Sequence, residues 1–377
     1  MAPPVLPAPP PAPAARPPGY YVRQRLWQNR PAVLGLAFIV LCAVVSGLGY
    51  WILPDNSPDA SHGFVALQKQ GPGLRVDFLR RLLPDSVLAA RLAPNIFRTW
   101  WHGREPDYEE TPISAYQAQG LGSALIRPWA EPGTQPGPPQ RVAAGPRLAR
   151  TYALGTDKAG RDELSRLLLG TRISLGIGLV AVLISMTLGM TVGALAGYFG
   201  GWIDSVLLGL MTVVWSIPGI MLVIAISLAL DSKGVWVSFV AVGLTMWVDV
   251  ARVVRGQLLS LRSATFVEAG RVLGLPTARL IARHLLPNLR GPLLVLATSN
   301  FAAAILLEAG LSFLGLGVQP PAPSWGLMVK EGYDLLGTRA GLWLTVLPGA
   351  AISLLVLSFN LLGNGLRDAY DPKTAVR

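Results

Sequence analysis

Between residues 252 and 290 the chain carries Arg252, Arg255, Arg262, Arg271, Arg279, Arg283 and Arg290 against a single acid, Glu268. The segment 265–290, TFVEAGRVLGLPTARLIARHLLPNLR, places Glu268-Ala269-Gly270 ahead of Gly274, and His284 ahead of Leu286-Pro287. Its length suits two short helices broken at Gly274-Leu275-Pro276, which is more than a plain connector needs. What it offers is a polar surface for a partner. A second candidate, Gly155-Thr156-Asp157-Lys158-Ala159-Gly160-Arg161, has two glycines five apart. Arg161 and Asp162 stand where a phosphate-binding loop needs Lys and Ser/Thr, so no nucleotide site is read there. Cys42 has no partner for a disulfide within the chain, and His62, His102 and His284 are scattered, which argues against a metal site.

The elements that must hold these residues are set by hydropathy. Of 377 residues, 51% are hydrophobic and 14% charged, where soluble domains carry about a quarter charged. This is the composition of a polytopic membrane protein. The net charge of +11 could suggest nucleic acid, but the basic residues gather at the ends of apolar runs, the pattern that orients membrane proteins, and no aromatic-interleaved basic patch supports a nucleic-acid partner.

Residues 1–31 form a tail, Pro/Ala-rich over 1–19 and expected to be extended or disordered, with Arg23, Arg25 and Arg30 at its end. A run over 32–53 follows. It is longer than a signal-peptide core and lacks a clear cleavage site, so it reads as an uncleaved first span. Residues 54–150 mix charges and prolines, carry no run long enough to span, and form an extracytoplasmic insertion. Within it, 79–97 shows helix-like apolar spacing at Leu79, Leu82, Leu83, Val87, Leu88 and Leu92. Its acids Glu105, Asp107, Glu109 and Glu110 read as a solvated stretch. Five further spans are expected at about 173–198, 206–230, 235–254, 292–314 and 342–362. Six spans put both termini on one side, and the arginines of the 262–290 loop, with Arg367, Lys373 and Arg377, make that side the cytoplasm. The short 200–205 loop carries no basic residue to test this.

Within the spans, Gly189, Gly193, Gly197 and Gly201 form a stripe four residues apart that admits another helix closely. Pro218 removes a helical hydrogen bond and should kink span three, either as a gate or as an ordinary bend. Asp249 is expected to pair with Arg252 three residues on. Asn300 lies near the middle of span five and Glu308 about 24 Å along it, near the outer end. Both are candidates to line a translocation path, while Glu308 is equally read as held by a hydrogen bond at the helix end. No chain of buried acids and histidines suits a proton-coupled carrier. Uphill transport would need an energy source bound from outside.

Glu268-Ala269-Gly270, then Gly274, then His284-Leu285-Leu286-Pro287 resembles the EAA motif of ABC-importer permeases, with Gly270 for the second alanine and His284 for isoleucine. The second change resembles the peptide/nickel branch. Leu154-Gly155-Thr156-Asp157 with Gly160-Arg161-Asp162, Ala196-Gly197-Tyr198 with Gly200-Gly201, Arg252-x-x-Arg255-Gly256-Gln257, Glu308-Ala309 followed by LSFLGLGVQPPAPSWG, and the C-terminal FNLLGNGLRDAYDP resemble the C-type subunit of dipeptide/oligopeptide permeases over about 150–372.

The resemblance implies an all-α integral membrane protein with six transmembrane helices in the type I importer fold, its core over 151–372. It implies a peptide importer of the bacterial cytoplasmic (inner) membrane that is not itself an enzyme and binds no cofactor. ATP would be bound by two cytoplasmic ATPase subunits. The other implied partners are a homologous second permease subunit, an extracytoplasmic binding protein and membrane lipid. The residues expected to couple to the ATPases are Glu268, Ala269, Gly270, Arg271, Gly274, Leu286 and Pro287. Pore or vestibule candidates are Pro218, Asn300, Glu308 and Trp325, the last capping a proline-rich loop at 319–326 that either shapes the outer vestibule or packs as a turn. Permeation of nickel or another small solute, and an ion-coupled secondary carrier, are the competing readings.

Overall fold

The computed structural model describes residues 18–89, 95–120, 122–131, 133–134, 137–231 and 234–371. The tail up to residue 17, Leu92, part of the 132–140 linker, Lys373 and Arg377 lie outside them.

A short helix α1 (Pro18–Gln28) leads into α2 (Arg30–Leu48), which Asn29 caps by accepting the Ala32 N–H. At 1.5 Å per residue the 19 residues of α2 reach about 28 Å, the thickness of a bilayer's hydrocarbon core. The chain then leaves the helical layer. It forms β1 (Leu74–Leu82), α3 (Asp85–Ala89), α4 (Ile96–His102), β2 (Tyr108–Ala118), β3 (Ser123–Pro128), β4 (Gln140–Ala143) and β5 (Arg147–Tyr152). The all-α expectation fails here: the insertion is built on a five-stranded antiparallel sheet in the order β4-β3-β2-β1-β5.

Of the helix-like spacing over 79–97, Val87 and Leu88 fall on the short helix α3, but Leu79, Leu82 and Leu83 do not lie on a helix. Leu79 and Leu82 lie on a strand whose two faces both bury apolar residues, Val76 and Phe78 on one and Leu79 on the other. A short apolar run buried on both faces has no clean period of two. Glu110 is not solvated either. It sits opposite Arg80 in the β1–β2 register and takes ion pairs from Arg80 at 2.8 Å and Arg150 at 3.0 Å, with its side chain 4% exposed. The two edge strands are joined by residues 144–146 alone. Three residues cannot cross a flat sheet of five strands spaced about 4.8 Å, so the sheet curls around Leu79, Ile113 and Ile126 into a half-closed barrel.

The core returns with α5 (Glu163–Phe199), whose 37 residues span about 55 Å and overrun the bilayer, so its first turns stand outside. It is followed by α6 (Gly201–Ser216), α7 (Gly219–Ala229), α8 (Val235–Thr245), α9 (Trp247–Leu261), α10 (Thr265–Val272), α11 (Thr277–Leu280), α12 (Leu286–Asn288), α13 (Arg290–Phe313), α14 (Trp325–Tyr333) and α15 (Gly341–Tyr370). Among the described residues, five helical segments are long and apolar enough to cross a membrane, and α6 with α7 makes a sixth if that pair, bent by 95°, is one span.

Small residues set the helix packing. A Cβ on Gly197 would lie 2.7 Å from Arg255 O, and one on Gly193 2.9 Å from Val254 Cβ, so the stripe on α5 seats α9. Gly201 is not part of it. It opens α6 with φ +57° and nothing near its missing side chain. Elsewhere Gly35 of α2 meets Ser358 O of α15, and Gly178 of α5 meets Phe301 of α13, whose ring stacks on Phe359 at 4.0 Å. Arg25 donates to Asp371 O and Gly291 packs on Tyr370. Both ends of the described chain therefore gather at the end that carries α10–α12, opposite the sheet.

Candidate functional site

The segment between α9 and α13 is amphipathic at the level of single turns. Val267 and Gly270 of α10, Leu280 and Leu285 are buried, and they pack with Val250, Val254 and Leu258 of α9 and Ala194 of α5. Glu268, Ala269, Arg271 and Gly274 face outward. So do three large apolar side chains, Phe266 at 42%, Leu273 at 78% and Val272 at 88% exposure. Glu268 enters no ion pair among the described residues. Arg271 lies 5.1 Å over the Tyr198 ring at the end of α5 and donates to its hydroxyl at 3.4 Å.

Gly274 shows why this segment breaks where it does. Its φ of +71° is in the left-handed region that a side chain disfavours. Its N–H reaches Arg271 O at 2.9 Å, while the Leu275 N–H reaches Gly270 O at 3.1 Å. These two bonds are the Schellman closure of α10. The absence of a side chain on Gly270 leaves room for Leu280 and Leu275, 2.9 and 3.4 Å from where a Cβ would stand. Pro276 then begins the next turn, with its carbonyl accepting from Leu280. The chain widens into a π turn over Ile281–Leu285 before Leu286 and Pro287, both half-buried, start α12.

Pro218 stands at the 95° bend between α6 and α7 and is exposed. It lines a cavity of about 490 Å³ with Trp215, Leu222, Asp249, Ala303 and Leu307. The expected Asp249–Arg252 pair is not among the ion pairs of the described residues. Arg252 lies instead 4.4 Å over the Trp215 ring, leaving the Asp249 carboxylate in the cavity wall. Asn300 is 6% exposed and its Nδ2 finds no hydrogen-bond partner. Glu308 is 1% exposed and accepts from Ser312 Oγ at 2.7 Å, which itself accepts from the Val318 N–H. Trp325, 2% exposed, opens α14 and donates from Nε1 to Leu167 O at 2.9 Å, closing the 319–326 loop onto α5.

Two charge constellations were missed by sequence reasoning. The 200–205 connection carries Asp204, which Arg255 grips with both Nε and Nη2, at 2.5 and 2.7 Å. This is a bidentate pair between α6 and α9. At the opposite end, Asp157, Arg161 and Arg166 surround Glu331 of α14. Arg161 bonds Asp157 at 2.6 Å and Glu331 at 3.2 Å; Arg166, 0% exposed, reaches Glu331 at 3.1 Å and Asp157 at 3.4 Å. Beside them Asp162 caps α5 by accepting from Ser165, and burial holds its carboxyl above the ordinary aspartate range. The Asp157–Arg161 spacing was a local signal for half of this cluster; Glu331, 170 residues away, gave none.

The described residues thus form a bundle of helices long enough to span a membrane, with one compact solvent-facing segment between α9 and α13. Residues 189–376 match the family described as "binding-protein-dependent transport system inner membrane component". The chain belongs to that family of multi-pass inner-membrane ABC transporter permeases, which work with a binding protein and an ATPase. It is similar to the oligopeptide transport system permease protein OppC of Escherichia coli (strain K12), 43% identical over 232 residues that cover 62% of this chain and 76% of that protein. It is likewise similar to the dipeptide transport system permease protein DppC of Bacillus subtilis (strain 168), 42% identical with 58% and 68% covered. Among solved structures, an inward-facing MetNI methionine ABC transporter aligns with a TM-score of 0.46 at 19% identity, over 55% of this chain and 98% of that one.

Proposed function

We propose that this chain is one half of the pore of an ATP-driven importer of oligopeptides or dipeptides, and that the 262–290 segment is where two cytoplasmic ATPase subunits drive it. A homologous permease subunit supplies the other half, and an extracytoplasmic binding protein delivers the peptide. The observation that carries the reading is the outward face of α10. It presents Phe266, Val272 and Leu273 beside Glu268, which enters no ion pair among the described residues, at the end of the bundle away from the sheet. Exposed apolar side chains rimmed by charge suit a protein partner. The arginines around them support a cytoplasmic position for this face, and with it for both termini.

The inward face explains how a push would travel. Val267, Leu280 and Leu285 share a core with α9 and α5, so α10 cannot move without them. The close glycine contacts and the Asp204–Arg255 pair carry the displacement on to the bent α6–α7 pair. Pro218 and Asp249 then lie where the path would widen, with Asn300 near mid-depth, while Glu308 and Trp325 brace its outer part. The substrate class rests on the relatives named for oligopeptide and dipeptide transport. The test is uptake of radiolabelled oligopeptide into proteoliposomes holding the whole transporter. Accumulation should need ATP and the binding protein, and unlabelled dipeptides or oligopeptides should compete. Accumulation driven by an ion gradient without ATP would refute the reading.

A further inference from the structure

Helix α4 reads IFRTWWH, and none of its side chains is buried. Ile96 is 78%, Phe97 69% and Trp101 51% exposed. A seven-residue helix this apolar should be covered by something. Its position says what. Trp100 Nε1 donates to Gly47 O at 2.6 Å, pinning α4 to the last turn of α2. Arg172 of α5 donates to the carbonyls of Trp100 and Trp101 at 3.3 Å and lies 4.9 and 4.2 Å over their rings.

Both anchors mark one level. Gly47 lies in the last turn of α2, close to the end of its apolar run, and Arg172 is the residue before the apolar stretch of α5 that starts at Ile173. Beside α4, the residues that follow α2 expose Trp51 at 64% and Ile52 at 40%, and α2 itself exposes Val44 and Leu48. Tryptophans with an apolar neighbour and a nearby arginine are what the border between hydrocarbon and headgroups selects.

We propose that α4, together with Trp51, is an interfacial anchor that lies in the outer membrane–water boundary and holds the β-sheet insertion against the lipid surface. The occupant of the exposed face is lipid, because α4 is bonded to the last turn of a spanning helix and exposes Ile96, Phe97 and Trp101 where the chain leaving that helix exposes Trp51 and Ile52.

Spin labels test this directly in the assembled transporter, in vesicles of phosphatidylethanolamine and phosphatidylglycerol. The sole cysteine, Cys42, is replaced by alanine, and labels are placed at Ile96→Cys, Phe97→Cys and, as a control, Val65→Cys. Val65 is 81% exposed and follows Phe64, whose N–H bonds Gly160 O beyond the start of α5. That puts the control roughly 14 Å or more above the level of Arg172 along α5. The ratio of collision with oxygen to collision with a water-soluble nickel chelate should be several-fold higher at 96 and 97 than at 65. Nickel access at 96 and 97 equal to that at 65 would overturn the proposal. So would protection from both reagents, which would mean that protein covers the helix.

Discussion

The two ends of the bundle handle charge in opposite ways. At the sheet end, Asp157, Arg161, Arg166 and Glu331 are 8% exposed or less and form ion pairs with one another within 3.4 Å. At the other end, Glu268 has no ion-pair partner among the described residues and faces solvent beside exposed leucine and valine. Buried charge is tolerated only when it is paired, and charges paired at this depth are out of a partner protein's reach. The sheet-end cluster is thus a fixed joint between the start of α5 and α14. The α10 face is left unfinished, and a second protein can complete it.

This contrast is broken most severely at the joint. Arg166→Met leaves Glu331 and Asp157 short of a buried partner, and should destabilise by about 3–5 kcal/mol, read as lower thermal unfolding in detergent. Adding Glu331→Leu should recover most of the loss, because Asp157 and Arg161 still neutralise each other. Next comes Gly193→Leu on the α5–α9 seam. A side chain there meets Val254 and the Ala251 backbone, and should cost about 1–3 kcal/mol or block folding outright, seen as aggregated material on size exclusion. Gly274→Val forces a branched residue to φ +71°, at about 1–2 kcal/mol. Its stability loss should be modest and its uptake loss large. Smallest in stability is Glu268→Lys, within about 0.5 kcal/mol of the parent by the same thermal assay, because nothing folded leans on that carboxylate.

What could be read in the sequence was what is local. Gly274 and Pro276 mark a helix end because φ > 0 and a missing N–H are properties of single residues. Pro218 marks a break for the same reason. The glycines at 189, 193 and 197 announce close packing, though not that α9 fills it. The misreadings all needed a distant neighbour. Glu110 looks solvated until Arg80 on the neighbouring strand β1 and Arg150 on β5 beyond it are brought to its side. Asp249 looked paired because Arg252 is near in sequence, but Trp215 took that arginine. Asp204 was passed over as part of a loop without basic residues, and its arginine lies 51 residues away. Leu79 was read in a helical window because burial on both sides of a strand erases the alternation that would reveal it.

The central claim is that the unfinished face of α10 receives the ATPase. It is tested most directly by purifying the transporter with Glu268→Lys and Leu273→Asp in this chain and measuring the ATPase retained on it. The account predicts a folded permease with unchanged thermal unfolding that has lost its ATPase subunits and its ATP-dependent peptide uptake. Full retention of the ATPase with normal uptake would contradict it.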